Sequence, residues 1–334
     1  VEVATKFFSP PPDEFLNKLV QTGDITPEQA DLARQIPVGQ DITAEADSGG
    51  HTDNRPALTM LPTMLALRDR LQAQFGYQQR LRVGLGGGIA TPASVSAAFA
   101  MGAAYVVTGT INQSCVESGT SDFVRQMLSQ AEQPDVAMAP AGDMFEMGVK
   151  VQVLKRGTLF AMRAQKLYDL YSAHKSIDVI PAADRAMIEK QCFRVPLEEI
   201  WKQTVEYFQK RDPRQVQRGE KDPKHKMALI FRWYLGQSSR WAISGEPTRQ
   251  ADYQVWCGPA MGAFNEWVKD SCLGPVENRR VAAVAFNLLY GAAVLDRIAS
   301  LRRQGITLPH PATEIRPLPI EEVIARIQPA WATA

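Results

Sequence analysis

A chain of 334 residues, 45% hydrophobic and 22% charged with a net charge of +1, has the balance of an ordinary globular protein, which argues against a disordered chain and a membrane protein. Its four cysteines, Cys115, Cys192, Cys257 and Cys272, share no CxxC spacing, so neither a metal site nor a disulfide framework is expected, and a reducing, cytoplasmic setting is the default. The charge is uneven, with 9 Lys/Arg against 15 Asp/Glu in residues 1–140 and 19 against 12 in residues 141–240, but basic and acidic residues interleave and no nucleic-acid-binding motif is present, so no nucleic-acid partner is expected.

The first 40 residues read as helices broken at Ser9-Pro10-Pro11-Pro12 and again at Gly23, with Thr26 placed to cap and Pro27 at the first helical position. Asp41–Ala46 reads as a short strand that ends in the loop 47–56. Leu61, Met64, Leu65, Leu71 and Phe75 then fall on roughly one helical face. A second strand, Leu81–Leu85, runs into Gly86-Gly87-Gly88 and a helix capped by Thr91, and a third, Ala104–Thr108, closes on Gly109-Thr110. This alternation is the pattern of parallel βαβ units. Beyond about residue 120 the strand signals fade, and Met144–Ala173, Pro196–Lys210 and Val281–Arg303 read as helices. The apolar run Val281–Leu295 is shorter than the ~20 residues that span a bilayer and contains Asn287, so no membrane partner is expected. No signal-peptide pattern opens the chain. The expected organisation is an α/β part over residues 1–140 and a mostly helical region over 141–334.

Two loops could carry chemistry. In Gly84-Leu85-Gly86-Gly87-Gly88-Ile89-Ala90, a strand leads through glycines into a helix N-terminus, where backbone N–H groups can approach a phosphate. A Rossmann fingerprint fails, because its third glycine falls on Ile89 and no acidic residue ends the next strand; a Walker loop fails for want of Gly-Lys-Ser/Thr. Two successive strand ends, at Gly86-Gly87-Gly88 and at Gly109-Thr110, match the phosphate site of a (β/α)8 barrel, the competing reading being a turn that only eases packing. Asp47-Ser48-Gly49-Gly50-His51 places a histidine at the C-terminal end of a strand, either as an acid/base or as a turn residue bonded to backbone. His174, His225 and His310 read as structural, and Trp233, Tyr234 and Trp241, near Arg232 and Arg240, as packing.

The run Glu45–His51 resembles the glycine-glycine-histidine loop of the flavin-dependent nitronate monooxygenase and FabK-type enoyl reductase superfamily, and Gly84–Thr110 resembles its two-part FMN phosphate site. Ala46–Pro56, Asp143–Lys150, Phe231–Gly236 and Trp256–Gly262 are similar to the PfaD-like branch, the trans-acting enoyl reductases of polyunsaturated fatty acid and polyketide synthases. The resemblance implies an FMN-dependent enoyl reductase that reduces carrier-bound 2-enoyl thioesters with NAD(P)H. Ser48, Gly49 and Gly50 would border the flavin, His51 would be the catalytic residue on its reactive side, and Gly86, Gly87, Gly88, Gly109 and Thr110 would hold its phosphate. The fold implied is the C-terminal part of a (β/α)8 barrel, with three of eight strands, the N-terminal half lying on a separate chain or missing from a fragment. An acyl carrier protein is the implied partner. Lys210, Arg211, Arg214 and Arg218 are a candidate surface for that acidic protein, or simply a solvated helical face. The alternatives are a nitronate monooxygenase, with His51 as base, and a flavin-free scaffold or partner module of a synthase.

Overall fold

In the computed structural model, which describes residues 1–327, three short helices come first: α1 (Glu2–Phe8), α2 (Asp13–Gln21) and α3 (Pro27–Ala33). The expected cap forms at α3. Thr26 accepts from the Gln29 N–H and the Gln29 side chain accepts from the Thr26 N–H, a reciprocal box that satisfies two otherwise unpaired donors.

The α/β part follows as β1 (Asp41–Glu45), β2 (Gly50–His51), α4 (Ala57–Phe75), β3 (Arg82–Gly86), α5 (Pro92–Ala100) and β4 (Val106–Val107). β3 lies between β1 and β4 and pairs parallel with both, Glu45 and Val107 standing opposite Gly86. The third strand is shorter than the Ala104–Thr108 expected. Ala104 and Tyr105 still bond β3, the Ala104 N–H donating to the Val83 carbonyl at 2.8 Å and the Leu85 N–H to the Tyr105 carbonyl at 3.0 Å, and the Tyr105 hydroxyl lies 3.0 Å from that of Thr43. A Cβ on Gly84 would sit 2.1 Å from the Tyr105 ring, so Gly84 serves packing rather than a ligand. On α4 the buried stripe is Leu61, Met64, Leu67 and Leu71; Leu65 is half-buried, and Phe75 is 36% exposed and stacks on Tyr77. Among the described residues the parallel sheet has three strands and closes no barrel.

Residues 144–173 correct the expectation of one long helix. After α6 (Asp122–Ser129) come β5 (Val136–Pro140), a single 3₁₀ turn (Phe145–Met147), β6 (Lys150–Leu154) and only then α7 (Phe160–Ala173). Val149, Val151 and Val153 alternate with Lys150 and Gln152, the period and branching of a strand rather than a helix. β6 is central in an antiparallel sheet, with β5 on one side and β2 on the other.

The remaining elements are α8 (Ala182–Ile188), α9 (Leu197–Arg211), α10 (Pro213–Lys221), α11 (Pro223–Ser244), α12 (Ala260–Val268), α13 (Val281–Arg303) and α14 (Ile320–Ile327). Two apolar cores result. The first holds Phe8, Leu61, Val83, Val95 and Phe264; the second holds Phe145, Val151, Phe160, Ile200 and Phe231. Burying each such side chain contributes about 1.5–3 kcal/mol. The chain enters the second core near Ala139, touches the first again at Leu154 and rejoins it at Ala242, so residues 141–327 divide between both; 328–334 lie outside the described residues. At the return, Asp252, fully buried, accepts from Tyr234 (2.8 Å) and Arg249 (3.0 Å) and pairs with Arg163 and Arg194. At 23 residues, α13 is longer than the apolar run read from the sequence and long and apolar enough to span a bilayer. Here it packs on α5, and its Asn287 amide bonds the carbonyl and N–H of Leu318.

Candidate active site

Residues 46–49 carry the chain from β1 in the parallel sheet to β2 in the antiparallel one, and three other backbone segments converge on them. A Cβ on Gly49 would lie 2.7 Å from Thr110 Oγ1 and 2.8 Å from the Gly258 nitrogen, and one on Gly87 would lie 2.6 Å from the Ala46 carbonyl oxygen. The Gly258 N–H donates to Thr110 Oγ1 at 3.4 Å. Ser48 Oγ donates to Glu45 at 2.9 Å, and Asp47 accepts from Asn54 at 2.7 Å and from Gln152 at 3.3 Å. Ser48, Gly49, Gly86, Gly87 and Thr110 are therefore brought together. Gly88 and Gly109 stand at the same strand ends with no heavy atom within 4 Å of an added Cβ.

The donors available here differ from those expected. The first turn of α5 is closed by its own cap: Thr91 Oγ1 accepts from Ser94, and Ser94 Oγ accepts from Ala90 and Thr91. Pro92 has no N–H. The free donors lie just before the helix, where the N–H groups of Gly88 and Ile89 meet no acceptor among the described residues. Gly87 and Gly88 hold φ of +82° and +72°, which turns successive N–H groups to one side. Nearby, the buried Gln152 Oε1 has no donor among the described residues and lies 3.1 Å from an added Gly258 Cβ. Anion donors beside an orphaned acceptor suit a ligand with a phosphate at one end and a ring N–H at the other.

His51 faces the other way. On β2 it stands opposite Val151, while Trp256 bridges to Val153 along the same side of β6. That register sets His51 beside Trp256, with ring centroids 5.6 Å apart and planes at 79°. With its amide oriented to satisfy both neighbours, Gln254 donates to Leu235 at 2.9 Å and accepts from Trp256 Nε1 at 3.1 Å, fixing the indole. His51 Nε2 lies 3.0 Å from Asp143 Oδ1. Partial burial pushes the Asp143 carboxyl up, but the His51 hydrogen bond, the N–H groups of Asp143 and Met144 and the imidazole charge outweigh it and hold it below the ordinary range. Asp143 is thus a carboxylate at neutral pH. It accepts from Nε2–H and leaves Nδ1 free. Arg232 holds this segment by donating to the Gly142 carbonyl at 2.8 Å, and Glu146 joins it to the buried His225.

His51, Asp143 and Trp256 line a cavity of about 550 Å³ whose other walls come from α9 and α11. Gly86, Gly87, Gly88 and Gly109 are not among its lining residues, so the two clusters meet through Gly49, Gly50 and Trp256. Of the aromatics expected only to pack, Tyr234 is fully buried and Trp241 covers Arg249 at 4.1 Å, while Trp233 lines the cavity. Cys257 is beside the site, but burial pushes its thiol up to about 12, so it supplies no thiolate.

Residues 174–253 match the family of the acyl-carrier-protein S-malonyltransferase inserted helical domain. A polyunsaturated fatty acid synthase subunit of Thraustochytrium sp. is 50% identical over 308 residues, covering 90% of this chain and 21% of that protein. Polyketide biosynthesis protein PksE of Bacillus subtilis is 47% identical over 302 residues, covering 90% and 39%. The chain thus spans well under half the length of these curated relatives. The enoyl reductase domain of MlnA from the macrolactin biosynthesis cluster of Bacillus amyloliquefaciens superposes with a TM-score of 0.86 at 38% identity, over 92% of this chain and 67% of that one. The chain belongs to the family of this enoyl reductase domain.

Within this enoyl reductase family member, Asp143, Gln152, Gln254 and Trp256 were not singled out as site residues from the sequence. Asp143 and Trp256 stood in motifs that resemble the family, with no role attached. Their spacing carries no signal, since Asp143 lies 92 residues from His51. The basic segment also divides. Arg214 pairs with Asp212 at 2.8 Å and Arg218 approaches Asp222 at 4.0 Å, while Lys210 and Arg211 line a second, open cavity beside Tyr207.

Proposed function

We propose that the chain carries the active centre of an FMN-dependent enoyl reductase that reduces carrier-protein-bound 2-enoyl thioesters with NAD(P)H in polyketide or polyunsaturated fatty acid synthesis. The observation that carries this reading is a single loop with a glycine cradle on one side and, on the other, a histidine held by a carboxylate at the wall of a partly apolar cavity. The names of the relatives support the pathway. The three parallel strands are read as late strands of a (β/α)8 barrel whose other strands come from chain outside these residues.

Free N–H groups at Gly88 and Ile89, with the space at Gly88 and Gly109, suit the FMN phosphate. Ser48, Gly49, Gly50 and Thr110 would border the ring, and Gln152 Oε1 would accept from it. The chemistry FMN supplies when bound is hydride delivery to the enoyl β-carbon, with electrons drawn from NAD(P)H. His51 serves as proton donor for the other half of the addition: Asp143 at Nε2 orients the ring, and a proton at Nδ1 can polarise the thioester carbonyl or pass to the α-carbon. Trp256 and Trp233 give the cavity an apolar wall beside His51.

Anaerobic mixing of the NAD(P)H-reduced, flavin-loaded protein with an enoyl thioester tests the reading. Reoxidation by the thioester and not by a nitroalkane is expected. Turnover of the nitroalkane alone would make the protein a nitronate monooxygenase, and a preparation unable to hold flavin would leave it a synthase scaffold.

A further inference from the structure

We propose that Lys210, Arg211 and Arg240, grouped around Tyr207 at the rim of the His51 cavity, form a phosphate subsite. Its ligand is the phosphodiester of a phosphopantetheine arm that delivers the thioester. The inference rests on the enoyl-thioester reading above and names how that substrate is held.

The last turn of α9 and the C-terminal half of α11 bring these groups together. The guanidinium carbons of Arg211 and Arg240 each lie 5.8 Å from the Tyr207 ring centroid, and Arg211 Nη1 donates to the Tyr207 hydroxyl at 2.8 Å. Tyr207 and Gln203 line both the inner cavity, where Arg240 is found, and the outer one, where Lys210 and Arg211 are found. The two spaces therefore share the wall formed by Tyr207 and Gln203.

Counter-charges separate this trio from its neighbours. Lys202 pairs with Glu199, Arg214 with Asp212, and Arg218 lies 4.0 Å from Asp222. Lys210, Arg211 and Arg240 have no carboxylate within 4.0 Å among the described residues, although Glu206 shares the outer rim. Grouped like charges without partners repel one another, and an anion between them relieves that repulsion while gaining charge-assisted hydrogen bonds. Arginine presents a planar fork suited to phosphate.

The wall behind the rim fits the rest of such an arm. Arg232, which bonds Gly142 next to Asp143, is eight residues from Arg240 on α11, about 12 Å along a helix. Between them Gly236, Gln237 and Ser239 line the cavity, with Gln203 and Thr204 on α9. Neutral donors and acceptors of this kind suit the amides of pantetheine, and His51 and Trp256 lie at the Asp143 end. An anionic rim ligand, an amide-bearing middle and a thioester at the histidine follow in the order of the arm.

The same enoyl group is attached to pantetheine, to 4′-phosphopantetheine and to a carrier protein, and the ratio of KM between the first two is measured. Wild type should prefer the phosphorylated arm by roughly tenfold or more, the scale of charge-assisted hydrogen bonds. In the double variant Arg211→Gln/Arg240→Gln that preference should collapse, while Arg214→Gln, outside the rim, should keep it. Calorimetric titration with 4′-phosphopantetheine and with pantetheine reads the same ratio without turnover. If the titration discriminates but no thioester is reduced, the subsite stands and the enoyl reductase reading fails. A loss confined to the carrier-bound substrate would make the rim a protein-docking face, and a rise in KM for NAD(P)H alone would assign it to dinucleotide phosphates. Either result, or an unchanged ratio, overturns the proposal.

Discussion

Gly49→Ala tests whether the four backbone segments of the site touch as described. The new methyl would stand 2.7 Å from Thr110 Oγ1, 2.8 Å from the Gly258 nitrogen and 3.0 Å from the Cys257 carbonyl carbon, against about 3.5–4.0 Å for a comfortable contact between carbon atoms. Thr110 can rotate away, but then the Gly258 N–H loses its acceptor. The other two atoms are backbone and can yield only if the loops separate. Overpacking of this kind costs about 1–3 kcal/mol, and in a domain of a few hundred residues each kcal/mol lowers the melting temperature by roughly 2–4 °C. Thermal melting and urea titration read the loss. Flavin retained after gel filtration reads the site, and should fall with it. Gly119→Ala, outside the site, is the control, because nothing lies within 4 Å of its added Cβ. A Gly49→Ala protein that melts with wild type and retains as much flavin would refute the convergence of these loops.

Gly88→Asp should abolish flavin retention at a folding cost of about 1 kcal/mol. The carboxylate enters open space where N–H groups await an anion, whereas at Gly87 the clash with Ala46 would confound the result. His51→Ala should keep flavin and slow enoyl reduction by roughly 10²–10⁴; unchanged turnover would leave His51 a strand residue. Because His51 and the local N–H groups, against partial burial, hold the Asp143 carboxyl below its ordinary value, the unfolded chain binds that proton more tightly than the native one. The stability this contributes is present above about pH 4, the ordinary Asp value, and is lost as pH falls through the native value. An acid melting series should show that decline in wild type and a smaller one in Asp143→Asn. Asp252→Asn removes the charge facing three guanidinium groups in a buried setting and should destabilise by about 3–5 kcal/mol, measured by urea midpoint; a loss below about 1 kcal/mol, the scale of an exposed pair, would show the cluster to be solvated.

Local chemistry was readable from the sequence where it acts over a few residues. Thr26 and Thr91 cap helices with partners three residues on, and the strands β1 and β3 lie within a residue or two of their expected ends. β6 was not readable in this way. Its Val149, Val151 and Val153 alternate, but its partners are β5 and the two-residue β2, the latter far off in the sequence, and the helical run after Phe160 masks so short a signal. The same distance hid the site. His51 could be picked out as a strand-end histidine, but Asp143, Gln152 and Trp256 acquire their roles only when β2 and Trp256 line up along β6. The basic segment was visible as a charge excess; which of its cations keep counter-ions depends on side-chain placement, and only Lys210 and Arg211 of the four line the rim.

The four residues between β1 and β2 join elements that belong to different apolar cores. Glu45 ends a strand of the first core, and His51 pairs with Val151 of the second. A span this short, pinned by Gly258 at Gly49 and by Gln152 at Asp47, has no slack. Any rocking of one core against the other is levered directly onto Ser48 and Gly49. The gap between the glycine cradle and the imidazole is therefore a gauge of how the two bodies are seated. Whatever shifts one core against the other would register there as a change in amide exchange at residues 46–50.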